Sequence, residues 1–314
     1  MQKKVLLVYG GFSAEREVSI SSEKDIASAL KSKGYEVIEH NLTDVWKFVE
    51  LLYNERPDVV YNGLYGNWGE DGEIQGLLDM LQIPYTHSSL KASAVGMDKA
   101  LTKAIAAQNG VKTARGQVMS YAQYLQKKSG LELPYVVKPV ADGSSVGVFI
   151  VQKPEDADNV HYESENAKIL VEEYIAGCEL TVMCLNGKAH VVTELKASNE
   201  FYDYEAKYTA GKTQHILPAD LPEDVTHTCL KYAEVVHKAL GCNALSRCDF
   251  RYNEKDGVVL LEINTNPGMT SLSLVPEQAK YAGISYSDLC DMMIKAAMCR
   301  QRQNSACYLL IFVV

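Results

Sequence analysis

From residue 3 to about residue 98 the chain alternates short apolar runs with amphipathic ones, and this constrains the fold more than any other feature. Segments 5–9, 36–39, 59–61 and 83–85 have the length and apolar content of strands. Segments 22–33, 44–54 and 73–81 have helical spacing. Strands separated by helices pair in parallel, with the crossover helices covering the sheet. The pattern therefore predicts an α/β fold that opens with a Rossmann-like parallel sheet over residues 1–98.

The pattern then changes. A helical stretch at 99–109 leads into short strands at 135–138, 147–152 and 169–173 around one glycine-rich loop, a second unit over 99–182. A third, over 183–300, has strands at 181–185 and 190–195, a loop-like region at 197–219, a helix at 222–240 and a last helix at 286–298. Residues 301–314 form an atypical tail. Its apolar end, 307–314, is too short for a bilayer and fits a buried strand, a peripheral contact or an extension foreign to the fold.

Composition excludes some functions. A net charge of −9 argues against nucleic acid as a partner. No run approaches the ~20 apolar residues of a membrane span, and the N-terminal apolar run is too short for a signal peptide. The eight cysteines form no Cys-x-x-Cys pair, as expected of buried thiols in a reducing cytosol.

The chemistry concentrates at 247–268. Segments 245–252 and 258–264 flank the turn-rich Glu254-Lys255-Asp256-Gly257 and read as a hairpin. With those four residues as the loop, Asp249 opposes Glu262 and Arg247 opposes Asn264. Opposed carboxylates repel, and a divalent cation removes the conflict, because Asp, Glu and Asn oxygens are the hard ligands Mg²⁺ prefers. The alternative is a solvated hairpin face with a surface ion pair.

Five further constellations accompany it. Gly10–Ser19 follows the first strand and places Glu15 where it meets either a substrate ammonium or its own helix's dipole. Gly66–Glu73 follows the third strand and is either a ligand loop or a capped turn. Lys138 precedes Asp142–Gly147, a small-residue loop suited to cradling phosphate. Glu172 and Glu179 could span the adenine and ribose ends of a nucleotide. The aromatic run 201–208 suits a lid that excludes water. No Ser-His-Asp or Cys-His set is present. Together these point to phosphoryl transfer by positioning and electrostatics.

Six ordered runs resemble the D-alanine–D-alanine ligases of the ATP-grasp superfamily: GGFSAEREVS (10–19), GEDGEIQG (69–76), MDKALTK (97–103), VVKPVADGSSVGV (136–148), FYDYEAKY (201–208) and LLEINTNPGMTSLSLVP (260–276). The resemblance implies three α/β domains with ATP between the second and third. It also implies a reaction in which one D-alanine is activated as an acyl phosphate and the amine of another displaces phosphate. Glu15 would hold the first ammonium, linked to Ser144 and Tyr208. Lys99, Lys138, Ser145 and Lys207 would meet phosphate, and Glu172 and Glu179 adenine and ribose. Arg247 would stabilise the oxyanion, and Gly268 and Ser273 would meet the intermediate and the second substrate. Asp249, Glu262 and Asn264 would bind two Mg²⁺, with Mn²⁺ a substitute. A cytoplasmic homodimer is implied as well. Relatives that use D-lactate or D-serine, or that bind nucleotide without catalysis, are the alternatives; Tyr208 favours an amine as second substrate. Tyr65 stands where the family usually has a histidine that is associated with the first substrate's carboxylate. A tyrosine there still donates a hydrogen bond but stays neutral.

Overall fold

The structure is a computed structural model that describes residues 2–127, 129–143, 146–197 and 213–311. Strand β1 (Lys4–Gly10) is the centre of a parallel sheet, flanked by β2 (Glu36–Leu42) and β3 (Val59–Asn62), with α1 (Arg16–Ser32) and α2 (Val45–Glu55) as crossovers. Val5, Leu6, Leu7 and Val8 are all fully buried, as a strand covered on both faces requires. The expected strand at 83–85 is reduced to a single parallel bridge between Val60 and Tyr85.

Helix α1 begins six residues before the expected 22–33 segment. Its early turns bury Ser19 and Ser22, residues that read as polar. Ser19 Oγ donates to Gly63 O at 2.6 Å and accepts from Gly10 N, so its burial is compensated by hydrogen bonds.

After α3 (Glu73–Met80), α4 (Leu90–Met97) and α5 (Lys99–Gln108) come β4 (Gly116–Ser120), α6 (Tyr121–Lys127), β5 (Tyr135–Pro139), β6 (Phe149–Val151) and β7 (Lys168–Glu173). These strands form an antiparallel sheet in the order β4-β7-β5-β6. Strands β8 (Cys178–Leu185), β9 (Lys188–Ala197), β10 (Thr213–Ile216), β11 (Leu245–Asn253) and β12 (Gly257–Asn264) form a second one, in the order β10-β9-β8-β11-β12. Strand β10 corrects the reading of 197–219 as loop throughout: it pairs with β9, Thr213 opposite Ala197. Helix α7 (Glu223–Leu240) covers this sheet, burying Val225, Cys229, Ala233 and Val236 against Leu180, Val182, Phe250 and Leu260. Ala106 of α5 joins the same core.

Helices α8 (Leu274–Tyr281) and α9 (Tyr286–Ile311) return the chain to the first sheet. Leu289, Met293 and Ile294 are fully buried in one core with Val5, Leu7 and Tyr61. Each such side chain contributes about 1.5–3 kcal/mol by leaving water. This packing holds the N-terminal sheet against the C-terminal part of the chain. The expected end of the last helix at 298 is also corrected: it runs to Ile311, so the first part of the apolar tail is helical rather than a strand.

Candidate active site

The β11–β12 hairpin places its residues as expected, by a different route. The turn is one residue shorter than predicted, since Asn253 pairs with Gly257. A bulge after Asp249 restores the count: Phe250 opposes Leu260 and Asp249 opposes Glu262, with Leu261 the extra residue. Arg247 therefore opposes Asn264. Neither carboxylate stands alone. Arg247 Nε and Nη2 donate to Asp249 Oδ1 and Oδ2 at 2.9 and 2.7 Å, and Thr181 Oγ1 donates to Asp249 Oδ1 at 2.6 Å. Lys99 Nζ stands 3.4 Å from Glu262 Oε2 and donates to Asp142 O at 2.5 Å. Asp249 is only 8% exposed and Glu262 is half-buried, so this is not a solvated surface pair.

A cleft between the two antiparallel sheets runs from this hairpin. Its walls are apolar, from Val136, Val148, Ile150, Ile175 and Leu261, and its charged groups include Lys99, Lys138, Glu172, Glu179, Asp249 and Glu262. Glu172 is held from two sides: Lys138 Nζ lies 2.7 Å from Oε1 and Lys103 Nζ 2.6 Å from Oε2. Burial would raise the Glu172 carboxyl, but the two ammonium groups outweigh it and hold it below its ordinary value. Burial pushes Lys103 down to about 8 even with Glu172 beside it. Lys103 was not singled out from the sequence; its position one helical turn after Lys99 was the available signal. Glu179 pairs with Arg251 at 3.0 Å.

A second cleft adjoins the first. It is lined by Glu15, Tyr65, Glu70, Arg247, Asn264, Gly268 and Ser273, and shares Lys99, Asp142, Gly143 and Glu262 with the first. Glu15 is the N-cap residue of α1, yet its side chain makes no cap hydrogen bond. Its carboxylate instead lies against two glycines: a Cβ at Gly143 would sit 3.3 Å from Oε1, and one at Gly66 would sit 3.6 Å from Oε2. Of the 66–73 run, Asp71 takes the capped-turn role, accepting from Trp68 N and Glu73 N at 2.7 and 3.1 Å. Glu70, in the same run, faces the cleft, where sequence reasoning assigned it no individual role. Burial, then the charge on Glu15, pushes its carboxyl well above the usual range. Ser273 is the N-cap residue of α8, and its Oγ accepts from Thr270 N at 3.0 Å. Tyr65 lines the cleft but does not aim its hydroxyl into it: the oxygen accepts from Met269 N at 3.0 Å and lies 3.1 Å from Ser22 Oγ. Of the expected site residues, Ser144, Ser145, Lys207 and Tyr208 lie outside the described residues, as does the lid run 201–208.

A Rossmann-like parallel sheet beside two antiparallel sheets, with lysines and carboxylates facing the cleft between the latter, is the architecture of an ATP-grasp enzyme. A family model described as "D-ala D-ala ligase C-terminus" matches residues 99–295. The D-alanine–D-alanine ligase of Gluconobacter oxydans is 46% identical over 303 residues, covering 95% of this chain and 100% of that protein. That of Acidiphilium cryptum is 44% identical over 301 residues, covering 95% and 99%. Among solved structures, the D-alanine–D-alanine ligase of Bacillus anthracis complexed with ATP superposes with a TM-score of 0.82 at 30% identity, covering 97% of this chain and 99% of that one. The VanG D-Ala:D-Ser ligase of Enterococcus faecalis gives 0.78 at 26%, covering 95% and 100%. The chain belongs to the D-alanine–D-alanine ligase family. No described helix is long and apolar enough to cross a membrane.

Proposed function

We propose that this enzyme joins two D-alanines at the expense of ATP, supplying the dipeptide for peptidoglycan precursors. The observation that carries the mechanism is the wall common to the two clefts, Lys99, Asp142, Gly143 and Glu262. An apolar-walled cleft with cations at one end suits a nucleotide, and the polar cleft beside it suits zwitterionic amino acids. Their common wall is where a γ-phosphate and a carboxylate would meet.

In the first step a carboxylate oxygen of the first D-alanine attacks the γ-phosphorus, the bond to the β-bridging oxygen breaks, and ADP leaves. In the second, the neutral amine of the second D-alanine attacks the acyl carbon, the C–O bond to phosphate breaks, and phosphate departs carrying the proton that the amine nitrogen loses. Glu15 would fix the first ammonium. Lys99 and Lys138 would neutralise phosphate charge, with Ser145 and Lys207 assisting by the resemblance. Glu172 would act at the adenine end while it also holds Lys138, and Glu179 would meet the ribose. Arg247 and the backbone at Gly268 would stabilise the oxyanion. Ser273 would receive the second carboxylate, and Ser144 and Tyr208 would align Glu15 and the lid.

Asp249, Glu262 and Asn264 fit Mg²⁺ by donor chemistry: their hard oxygens belong to one hairpin face, where Arg247 and Lys99 supply the positive charge that the opposed carboxylates need. When bound, the ions would neutralise charge on the transferring phosphoryl group. The reading extends to a homodimer in the cytoplasm, to be checked by sedimentation and by fractionation of cells.

Incubating the protein with ATP, Mg²⁺ and D-alanine should release phosphate in proportion to D-alanyl-D-alanine formed. Phosphate release that does not depend on D-alanine would refute the assignment. Chelating the divalent cation should stop turnover. Adding D-serine or D-lactate in competition should leave D-alanyl-D-alanine the main product; a mixed product in excess would place the chain with the D-serine or D-lactate enzymes.

A further inference from the structure

The backbone of Met269 is gripped on both sides by tyrosine hydroxyls. Its N–H donates to Tyr65 Oη at 3.0 Å, and its carbonyl accepts from Tyr286 Oη at 2.8 Å. Tyr65 comes from the loop after β3 and Tyr286 from the first turn of α9, so two remote parts of the chain hold one residue of the loop that carries Gly268.

The proton of Tyr65 can be placed. Ser22 Oγ donates to Ser19 O at 3.0 Å, so the 3.1 Å contact between Ser22 Oγ and Tyr65 Oη has tyrosine as the donor. The relay runs Met269 N–H to Tyr65 Oη–H to Ser22 Oγ–H to Ser19 O. A phenol whose only proton is committed has none to offer a substrate carboxylate. Burial also pushes the Tyr65 hydroxyl up, so it stays protonated at any working pH.

The other end of Tyr65 leads to Glu15. Its carbonyl accepts from Ser13 Oγ at 2.6 Å, and Ser13 Oγ accepts from Glu15 N–H at 3.1 Å. A second tie runs beside it, from Asn266 Nδ2 to Leu64 O at 2.7 Å. The turn bearing Glu15 and the loop bearing Gly268 are thus in register through Tyr65.

We propose that Tyr65, with Tyr286, is a positioning residue: it fixes the Gly268–Met269 backbone relative to Glu15, and so sets the separation of the ammonium site from the loop at which acyl transfer occurs. This rests on the ligase reading of the same cleft. Misplacement of a reacting group by about 1 Å costs roughly 10²-fold in rate, so a loosened grip acts on kcat. ATP sits in the neighbouring cleft and its KM is not engaged.

The test is Tyr65→Phe, Tyr286→Phe and the double variant, assayed for D-alanine-dependent ADP release, with KM for ATP and the melting temperature measured in parallel. Each single change should lower kcat roughly tenfold to hundredfold, with KM for ATP within about twofold. The double variant should be scarcely slower than the worse single one, because either loss frees the same peptide. A lowered melting temperature with kcat within twofold of wild type would overturn the proposal and leave the tyrosines merely structural. Fully multiplicative losses would overturn the common grip. Should Tyr65→Phe not fold, Tyr286→Phe alone decides, since it leaves the N-terminal loop untouched. A wild-type enzyme without D-alanine-dependent ADP release overturns the ligase reading itself, whereas an active wild type with indifferent variants overturns only this inference.

Discussion

Arg247 holds Asp249 through both arms of its guanidinium, two residues away on the same strand face, at 2.9 and 2.7 Å. The fork matches the carboxylate plane, an arrangement a lysine does not reproduce. The pair holds Arg247 extended along the hairpin, between the two clefts. In the proposed reaction negative charge builds on the carbonyl oxygen, and Arg247 is the guanidinium that lines the substrate cleft.

Replacing Arg247 with Ala should therefore lower kcat by roughly 10²–10³. It should also lower stability by about 1.5–3 kcal/mol, because nearly buried Asp249 loses its charged hydrogen bonds. Steady-state kinetics and denaturant melts measure the two effects separately. A kcat within tenfold of wild type would remove Arg247 from the oxyanion role.

Lys103 gives opposite pH signs for binding and stability. Its folded value of about 8 lies below the ordinary 10.5. Below pH 8 both lysines are charged around one carboxylate, leaving net positive charge for phosphate. Above it, Lys138 alone balances Glu172, so KM for ATP should rise. Between pH 8 and 10.5 the unfolded chain binds more protons at this residue than the folded one, so its contribution to stability grows with pH. Lys103→Met should raise KM for ATP about tenfold and abolish its alkaline rise. An alkaline rise unchanged in the variant would assign the titration to another group.

Much of this site was legible because its groups sit on regular elements. Strand alternation and opposed pairing located Asp249, Glu262, Arg247 and Asn264. The register was right because two departures cancelled: a turn one residue shorter and a bulge at Leu261, neither of which has a local signature here. What stayed hidden depends on tertiary burial. Ser19 closes the Gly10–Ser19 run read as a loop after the first strand, although it is buried in α1 and bonded. Glu70 is one of several carboxylates in its run until a cavity surrounds it, and Lys103 is one more helix lysine until Glu172 arrives from β7. Tyr65 stood out as a departure from the family, but where its hydroxyl points is set by Met269, 204 residues away.

Glu15 and Glu70 line one cleft and should respond differently to the same change. Burial and the charge of Glu15 push Glu70 toward its protonated form, which glutamine imitates. Glu70→Gln should leave kcat within about threefold of wild type. Glu15→Gln removes the charge proposed to hold the ammonium. A charged hydrogen bond is worth about 1.5–3 kcal/mol, so KM for the first D-alanine should rise roughly 10- to 100-fold. Titrating D-alanine at saturating ATP separates the two, and the reverse ranking would exchange their roles.

Gly177 links the backbone to the nucleotide cleft. It lies in the turn between β7 and β8 at φ +112°, where L side chains are strained, and a Cβ there would stand 2.0 Å from Tyr252 O. Its carbonyl accepts from Arg251 Nη1 at 2.9 Å, while Arg251 Nη2 pairs with Glu179. Gly177→Ala must push the turn away from β11, and Arg251 and Glu179 follow it. Backbone strain alone costs about 1–3 kcal/mol, and the overlap with a carbonyl adds to it. The variant should melt earlier and show a raised KM for ATP, with KM for D-alanine unchanged because Glu15 and Gly268 lie in the other cleft. Equal losses for both substrates would mean that the turn supports the whole molecule and not the nucleotide side alone.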